Sequence, residues 1–208
     1  MSDIRNILTL LESPNKLEQI KLPYSRTALS AVMSSATIDY HYGKLYKGYV
    51  DRYNKKEGDR TFNEAGAYLH EIFFSQFRSP RSSAPTGRIL DLINRHHSSY
   101  VDFKKNFQEE ALKIQGSGWI YLSKSGQIKT IKNHQKRTDI ALIVDMWEHA
   151  FNLDYQANKA KYLNSIWRIM DWDAINHSLW SRREPNPYYA KYNIARNLAY
   201  VKTRHISN

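Results

Sequence analysis

The run Asp145-Met146-Trp147-Glu148-His149-Ala150 sets a carboxylate and an imidazole four residues apart. An imidazole nitrogen and a carboxylate oxygen together suit a borderline divalent metal such as Fe, Mn or Zn. The same pair on a helix is equally a solvated face or a local hydrogen bond, because neighbours at i and i+4 meet anyway. Two further histidines upstream, His41 and His70, stand in surroundings just as particular. The chain has no cysteine, so disulfides and thiolate sites are excluded, and any metal is held by histidine and carboxylate.

Those residues need a scaffold. Leu29 to Tyr53 reads as a long helix that tolerates Gly43, and His41, Leu45 and Tyr49 recur at i, i+4 and i+8 on one face. Asn54 to Thr61 is polar, contains Gly58, and predicts a turn. Phe62 to Phe77 predicts a second helix, and facing positions of such a hairpin can converge on an ion. Ser79 to Gly87, with two prolines and a glycine, predicts a linker and domain boundary. Beyond it, Arg88 to Asn94 and Ser99 to Gln115 read as helices, and Trp119 to Leu122 and Ile128 to Ile131 as short strands about Ser125-Gly126. A third apolar run, Ile140 to Asp145, ends on the carboxylate; a W-E-H-A loop and a helix over Ala160 to Trp172 follow. That order predicts an α+β fold: an N-terminal helical hairpin domain, then an α/β domain with a small antiparallel sheet. The expected divisions are an extension over 1–20, the hairpin over 21–80, the α/β domain over 81–180 and a C-terminal extension over 181–208.

The 208 residues, 41% hydrophobic and 25% charged, are ordinary for a globular protein with a real core. No apolar run reaches the roughly 18–20 residues of a membrane span. Met1 to Asn15 lacks the features of a signal or transit peptide, so a cytoplasmic location is the default expectation. Ile4 to Leu11 reads as a short docking helix stopped by Pro14. The net charge of +11 fits either nucleic-acid affinity or attraction of a small anion. Ser181 to Asn208 carries six Lys or Arg against the single Glu184, with Tyr188, Tyr189, Tyr192 and Tyr200 interleaved. Such a segment either follows a polyanion or packs its tyrosines and leaves its charges in water.

The block Asp145 to Tyr155 (D-M-W-E-H-A-F-N-L-D-Y) resembles the metal-binding signature of the iron/manganese superoxide dismutases. The resemblance extends in order from about Leu22 to about Leu179. It takes in L-P-Y at Leu22–Tyr24, Y-H-Y-G-K at Tyr40–Lys44, F-N at Phe62 and Q-G-S-G-W at Gln115–Trp119. N-H-Q at Asn133–Gln135, then I-W and D-W near Trp167 and Trp172, complete the set. It implies one Fe or Mn ion per subunit held by His41, His70, Asp145 and His149, with room for solvent at a fifth position. The pair Phe73–Phe74 matches the aromatics that follow the family's second ligand, although Glu71 stands next to His70.

The resemblance also implies roles around those four. Tyr49 matches the tyrosine of the substrate funnel. His134 falls where the family places a Gln or His that hydrogen-bonds the solvent on the metal, with Gln135 adjacent. Gly66 stands where some iron enzymes carry that Gln instead. Trp119 and Trp147 match the aromatic wall of the cavity, and Glu148 the residue that reaches a partner subunit's histidine in a homodimer. The chain departs from the family at Leu45 and Asn152, which replace a histidine and a tyrosine that meet across subunits. It departs again at Lys159, which replaces an arginine, at Phe74, which replaces a tryptophan, and in a shorter hairpin connection. The implied activity is dismutation of superoxide to O2 and H2O2. N-H-Q, similar to iron-using members, favours iron. The rival expectation is a scaffold of the same fold, its basic tail holding a polyanion or an assembly partner.

Overall fold

The computed structural model describes residues 16–82 and 84–180. The expected docking helix Ile4–Leu11 and the basic segment from Ser181 lie outside the described residues.

The first long helix starts later than its apolar pattern predicts. Ser34 supplies the cap: its hydroxyl accepts from Thr37 N at 3.1 Å, and α1 runs Ser35–Tyr40. Asp154 anchors this start from far along the chain, accepting from Ser34 N at 2.8 Å and Thr37 Oγ1 at 2.7 Å. The helix then widens into a π-helical segment, His41–Tyr46, and resumes as α2, Lys47–Lys55. Such bulges often mark functional sites. Here the wider turn buries Tyr46 at 1% exposure and leaves Leu45 half-exposed, so the expected His41–Leu45–Tyr49 face is in fact His41, Tyr46 and Tyr49. Lys56 in the left-handed region ends α2, and Asp59 caps α3, Arg60–Ser75, by accepting from Phe62 N at 2.9 Å.

Past the linker come α4, Gly87–His97, and α5, Tyr100–Leu112. Three antiparallel strands follow: β1 Gly118–Ser123, β2 Ile128–Lys132 and β3 Ile140–Asp145, in the order β2-β1-β3. β1 and β3 are buried throughout, whereas β2 is a half-exposed edge. On the β3 side, the buried Gln76 of the first half bonds both main-chain groups of Ile143, accepting from its N–H at 3.1 Å and donating to its carbonyl. That satisfies part of the open edge and fixes the end of α3 against the sheet.

Two expectations are corrected. W-E-H-A is not a loop but the start of α6, Glu148–Tyr155. The helix predicted over Ala160 to Trp172 is broken: α7 spans Lys159–Ile166, tightens into a 3-10 turn at Trp167–Ile169, and stops before α8, Trp172–Trp180. Asp171 causes the break. Its N–H bonds Gln76 O at 2.8 Å, and its carboxylate caps α8 by accepting from Ala174 N at 3.2 Å. Among the described residues no helix is long and apolar enough to cross a membrane.

Candidate metal centre

Four side chains from α1/π, α3, β3 and α6 meet in the core. One donor atom from each of His41, His70, Asp145 and His149 lies within 4.8 Å of all the others. Asp145 Oδ2 is the common neighbour, at 3.1 Å from His41 Nε2, 3.7 Å from His70 Nε2 and 3.2 Å from His149 Nε2. Ligand bonds of about 2 Å place donors around one ion up to roughly 4 Å apart, so donors within 4.8 Å of one another come close to the spread that a single ion requires.

Local structure aims each donor. Asp145 sits at the end of β3, and its Oδ1 accepts from Trp147 N at 2.8 Å, which turns Oδ2 inward. The i and i+4 relation with His149 thus spans a strand end and a helix start, not one helical face. His70 Nδ1 donates to Gly66 O at 2.6 Å, so its Nε2 carries the free lone pair. Glu71, the neighbour that a one-residue slip would bring in, is turned away and half-buried.

The donor set fits a metal on its own chemistry. His41 Nε2 and His70 Nε2 are fully buried and without a hydrogen-bond partner. Buried polar atoms are rarely left so, and a cation accepting their lone pairs removes the cost. Burial holds the His41 imidazole down to about 4 from an ordinary 6.5, against the pull of Asp145. Burial, reinforced by the neighbouring His41, keeps His70 well below its ordinary value. Burial alone would raise the Asp145 carboxyl, but His149 and His41 hold it below the usual carboxylate range. His41 and His70 are thereby held neutral and the carboxylate charged, which are the forms that bind metal.

A second ring of residues surrounds this centre. His134 is buried, and its Nδ1 accepts from Trp119 Nε1–H at 3.2 Å. The indole can only donate, so the proton of neutral His134 is on Nε2, which is buried with no protein partner. Burial keeps the ring neutral, lowering it to about 4. Trp147 stacks on it at 4.5 Å, Phe62 tilts against it at 4.6 Å, and Tyr49 meets it edge-on at 4.8 Å. Gln135 is exposed and bonds Arg137 instead, because Asn133, in the left-handed region, turns His134 inward. Gly66 makes the room: a Cβ there would sit 2.9 Å from the Tyr49 ring and 3.1 Å from His134. Trp119 pairs directly across the sheet from Asp145 and lies edge-on to His70 at 5.0 Å. Tyr49 is raised to about 12, by burial first and then by Asp145, so its hydroxyl keeps its proton at neutral pH.

Three contributors escaped the sequence reading. Tyr46 stacks on His70 at 5.7 Å, and only the π-helical register places it there. Phe62, which the sequence offers as a helix start and as part of the F-N motif with no role at the site, leans on His134. Arg52 lies one turn after Tyr49, with its guanidinium 4.9 Å from that ring and its Nε donating to Asn63 at 3.0 Å. The i, i+3 spacing of Tyr49 and Arg52 was the available signal. Elsewhere, Glu148 and Asn152 are exposed, Leu153 is 58% exposed, and Lys159 donates to Ile114 O at 3.2 Å.

The titrations predict the acid behaviour of metal-free protein. His41 and His134 bind protons near 6.5 when unfolded but only near 4 when folded, so the unfolded state holds more protons between those values. Their stabilisation is complete above about pH 6.5 and is lost as pH falls toward about 4, at up to about 1.4 kcal/mol per pH unit for each histidine. Asp145, also depressed, adds a loss at lower pH in the same direction. Urea midpoints of chelator-treated protein that stay level through this window would contradict the assignment.

The model of the family "Iron/manganese superoxide dismutases, C-terminal domain" matches residues 85–178. A relative named superoxide dismutase [Fe], from Bacteroides fragilis, is 36% identical over 190 residues, covering 78% of this chain and 98% of the relative. Superoxide dismutase [Mn/Fe] of Porphyromonas gingivalis is 34% identical over 184 residues, 76% of this chain and 96% of its own. Superoxide dismutase [Fe] of Legionella pneumophila is 30% identical over 185 residues, with 76% and 96% covered.

Proposed function

Since the chain belongs to the iron/manganese superoxide dismutases, we propose that it dismutates superoxide at a mononuclear centre held by His41, His70, Asp145 and His149. The observation that carries this is the convergence of three imidazoles and one carboxylate, two of the imidazole nitrogens buried and unpartnered. When bound, an Fe or Mn ion supplies the couple that takes an electron from one superoxide and passes it to a second. The protein's residues do the rest. Asp145 supplies the one negative charge among the four donors and so offsets part of the ion's charge in either oxidation state. His134 Nε2–H and the Tyr49 hydroxyl are the proton-bearing groups beside the donors, and both keep their protons at neutral pH. Trp119, Trp147, Phe62 and Tyr46 pack around them and exclude bulk water. Iron is the favoured ion, on the N-H-Q motif at Asn133–Gln135. A homodimer seated on the exposed Glu148 side is part of the same reading, with Leu45 and Asn152 altering its contacts. The separation into units 21–80 and 81–180 belongs to it too, the linker lying between His70 and Asp145. A scaffold without activity has no need of the donor set, so this alternative is not favoured.

Metal analysis of the purified protein, paired with a superoxide-scavenging assay, tests the proposal. The expected result is close to one Fe or Mn per chain and activity that chelation removes. Fully folded, metal-free, inactive protein from metal-replete cells would end it.

Arg52 gives a narrower prediction. Its cation beside Tyr49 draws a small anion toward the site, and clefts of one charge sign raise such encounter rates. Arg52→Gln is expected to lower kcat/KM for superoxide severalfold at low ionic strength and to flatten its salt dependence, leaving metal content unchanged. An unchanged salt profile would remove Arg52 from the reaction.

A further inference from the structure

None of the residues described at the metal centre lines a second cavity, a cleft of about 570 Å3 bounded by α5, the linker and the end of α7 with its 3-10 turn. Four cations converge on it from three separate stretches of chain: Arg81, Lys104, Lys105 and Arg168, against the single carboxylate Glu109. The two arginines are neighbours by construction, because Arg81 N donates to Arg168 O at 3.2 Å. Three residues earlier, just before the linker, Arg78 behaves differently, with its guanidinium 3.7 Å from Asp171 and 3.9 Å from Asp173. Among the described residues no carboxylate lies within ion-pair distance of any of the cleft's four cations. Like charges gathered in a concavity repel one another and focus a field that concentrates anions.

The aromatic floor narrows the ligand. Trp167 is only 8% exposed, and the Lys104 ammonium covers Tyr100 at 4.7 Å from its centroid. These ring faces are taken, whereas single-stranded nucleic acid needs free faces for its bases. Guanidinium forks match phosphate oxygens, and lysines add point charge. We propose that this cleft binds a compact diphosphate-bearing anion through Arg81, Arg168, Lys104 and Lys105. The assignment is independent of the dismutase reading.

Calorimetric titration of the full-length metal-loaded protein with inorganic pyrophosphate and, separately, ADP tests it. Saturable one-to-one binding that weakens with salt is expected. The R81A/R168A double variant should lose about tenfold or more in affinity for both probes, as removal of charge-assisted hydrogen bonds implies. Equal affinities would assign the diphosphate group itself as the ligand, and tighter ADP a nucleoside diphosphate; either supports the site. No saturable binding, or binding equal in wild type and variant, which would place the anion on the basic C-terminal segment, overturns it. Circular dichroism of the double variant reports its folding. Should it fail to fold, K104Q/K105Q, on the surface of α5, carries the same comparison.

Discussion

Protein carrying Asp145→Asn is expected to purify with its metal content reduced at least about a hundredfold relative to wild type under limiting metal, and to lose dismutase activity in proportion. Changes one layer out from a metal typically cost 10–100-fold in affinity, so loss of the only anionic donor should cost no less. The substitution is nearly isosteric, and its amide oxygen can still accept from Trp147 N, so the β3–α6 corner has what it needs to form. What is lost is the charge toward which three imidazole nitrogens point at 3.1–3.7 Å. His149→Ala is the companion. His149 lies at the rim, its side chain 12% exposed, so truncation leaves a smaller void than at His41 or His70 and should leave the fold intact while metal is lost. Elemental analysis beside circular dichroism separates the outcomes. Folded variants that keep a full complement of metal would disprove the ligand assignment.

The second large effect is expected at His134. His134→Ala should retain metal yet lose roughly 10–100-fold in activity, the range for groups that act through a ligand or its solvent. It also strips the buried Trp119 Nε1–H of its acceptor, a cost of about 1–3 kcal/mol in stability. His134→Gln separates the two consequences. A carboxamide offers an oxygen to Trp119 and an N–H inward, so it should recover most of both activity and stability. The pH profile of kcat distinguishes a proton-bearing role from packing: the alanine variant should change its profile, the glutamine variant far less. Equal activity in all three proteins would reduce His134 to filling space against Trp147 and Phe62.

Much of this is legible in the sequence. Ile140–Asp145 ends where its apolar run ends, because a strand buried on both faces is written as a continuous apolar stretch. The hairpin helices, the linker and the β1–β2 turn follow from periodicity and from Pro, Gly and Ser, all of which act over a few residues. Sequence and structure part where distant residues overrule local pattern. Apolar spacing carries through Trp172, yet Asp171 is held by Gln76 and diverted to capping, which ends the helix early. Leu29 matches the helical pattern, but Ser34 and the remote Asp154 set the start. Spacing by fours selects Leu45, while the π-helical segment presents Tyr46.

The chain's own order of residues determined which side chains are able to hold a metal: without cysteine, only histidine and carboxylate remain, and their flanking motifs single out four. Tertiary structure alone decided that their donor atoms share one centre, that His134 rather than Gln135 faces inward, that Arg52 lies over Tyr49, and that Arg81 meets Arg168. The physical reason is range. Propensity, capping and periodicity are encoded within a turn or two, whereas convergence of residues about a hundred positions apart is a property of packed elements, set by how Gln76, Trp119 and Asp154 join the two halves.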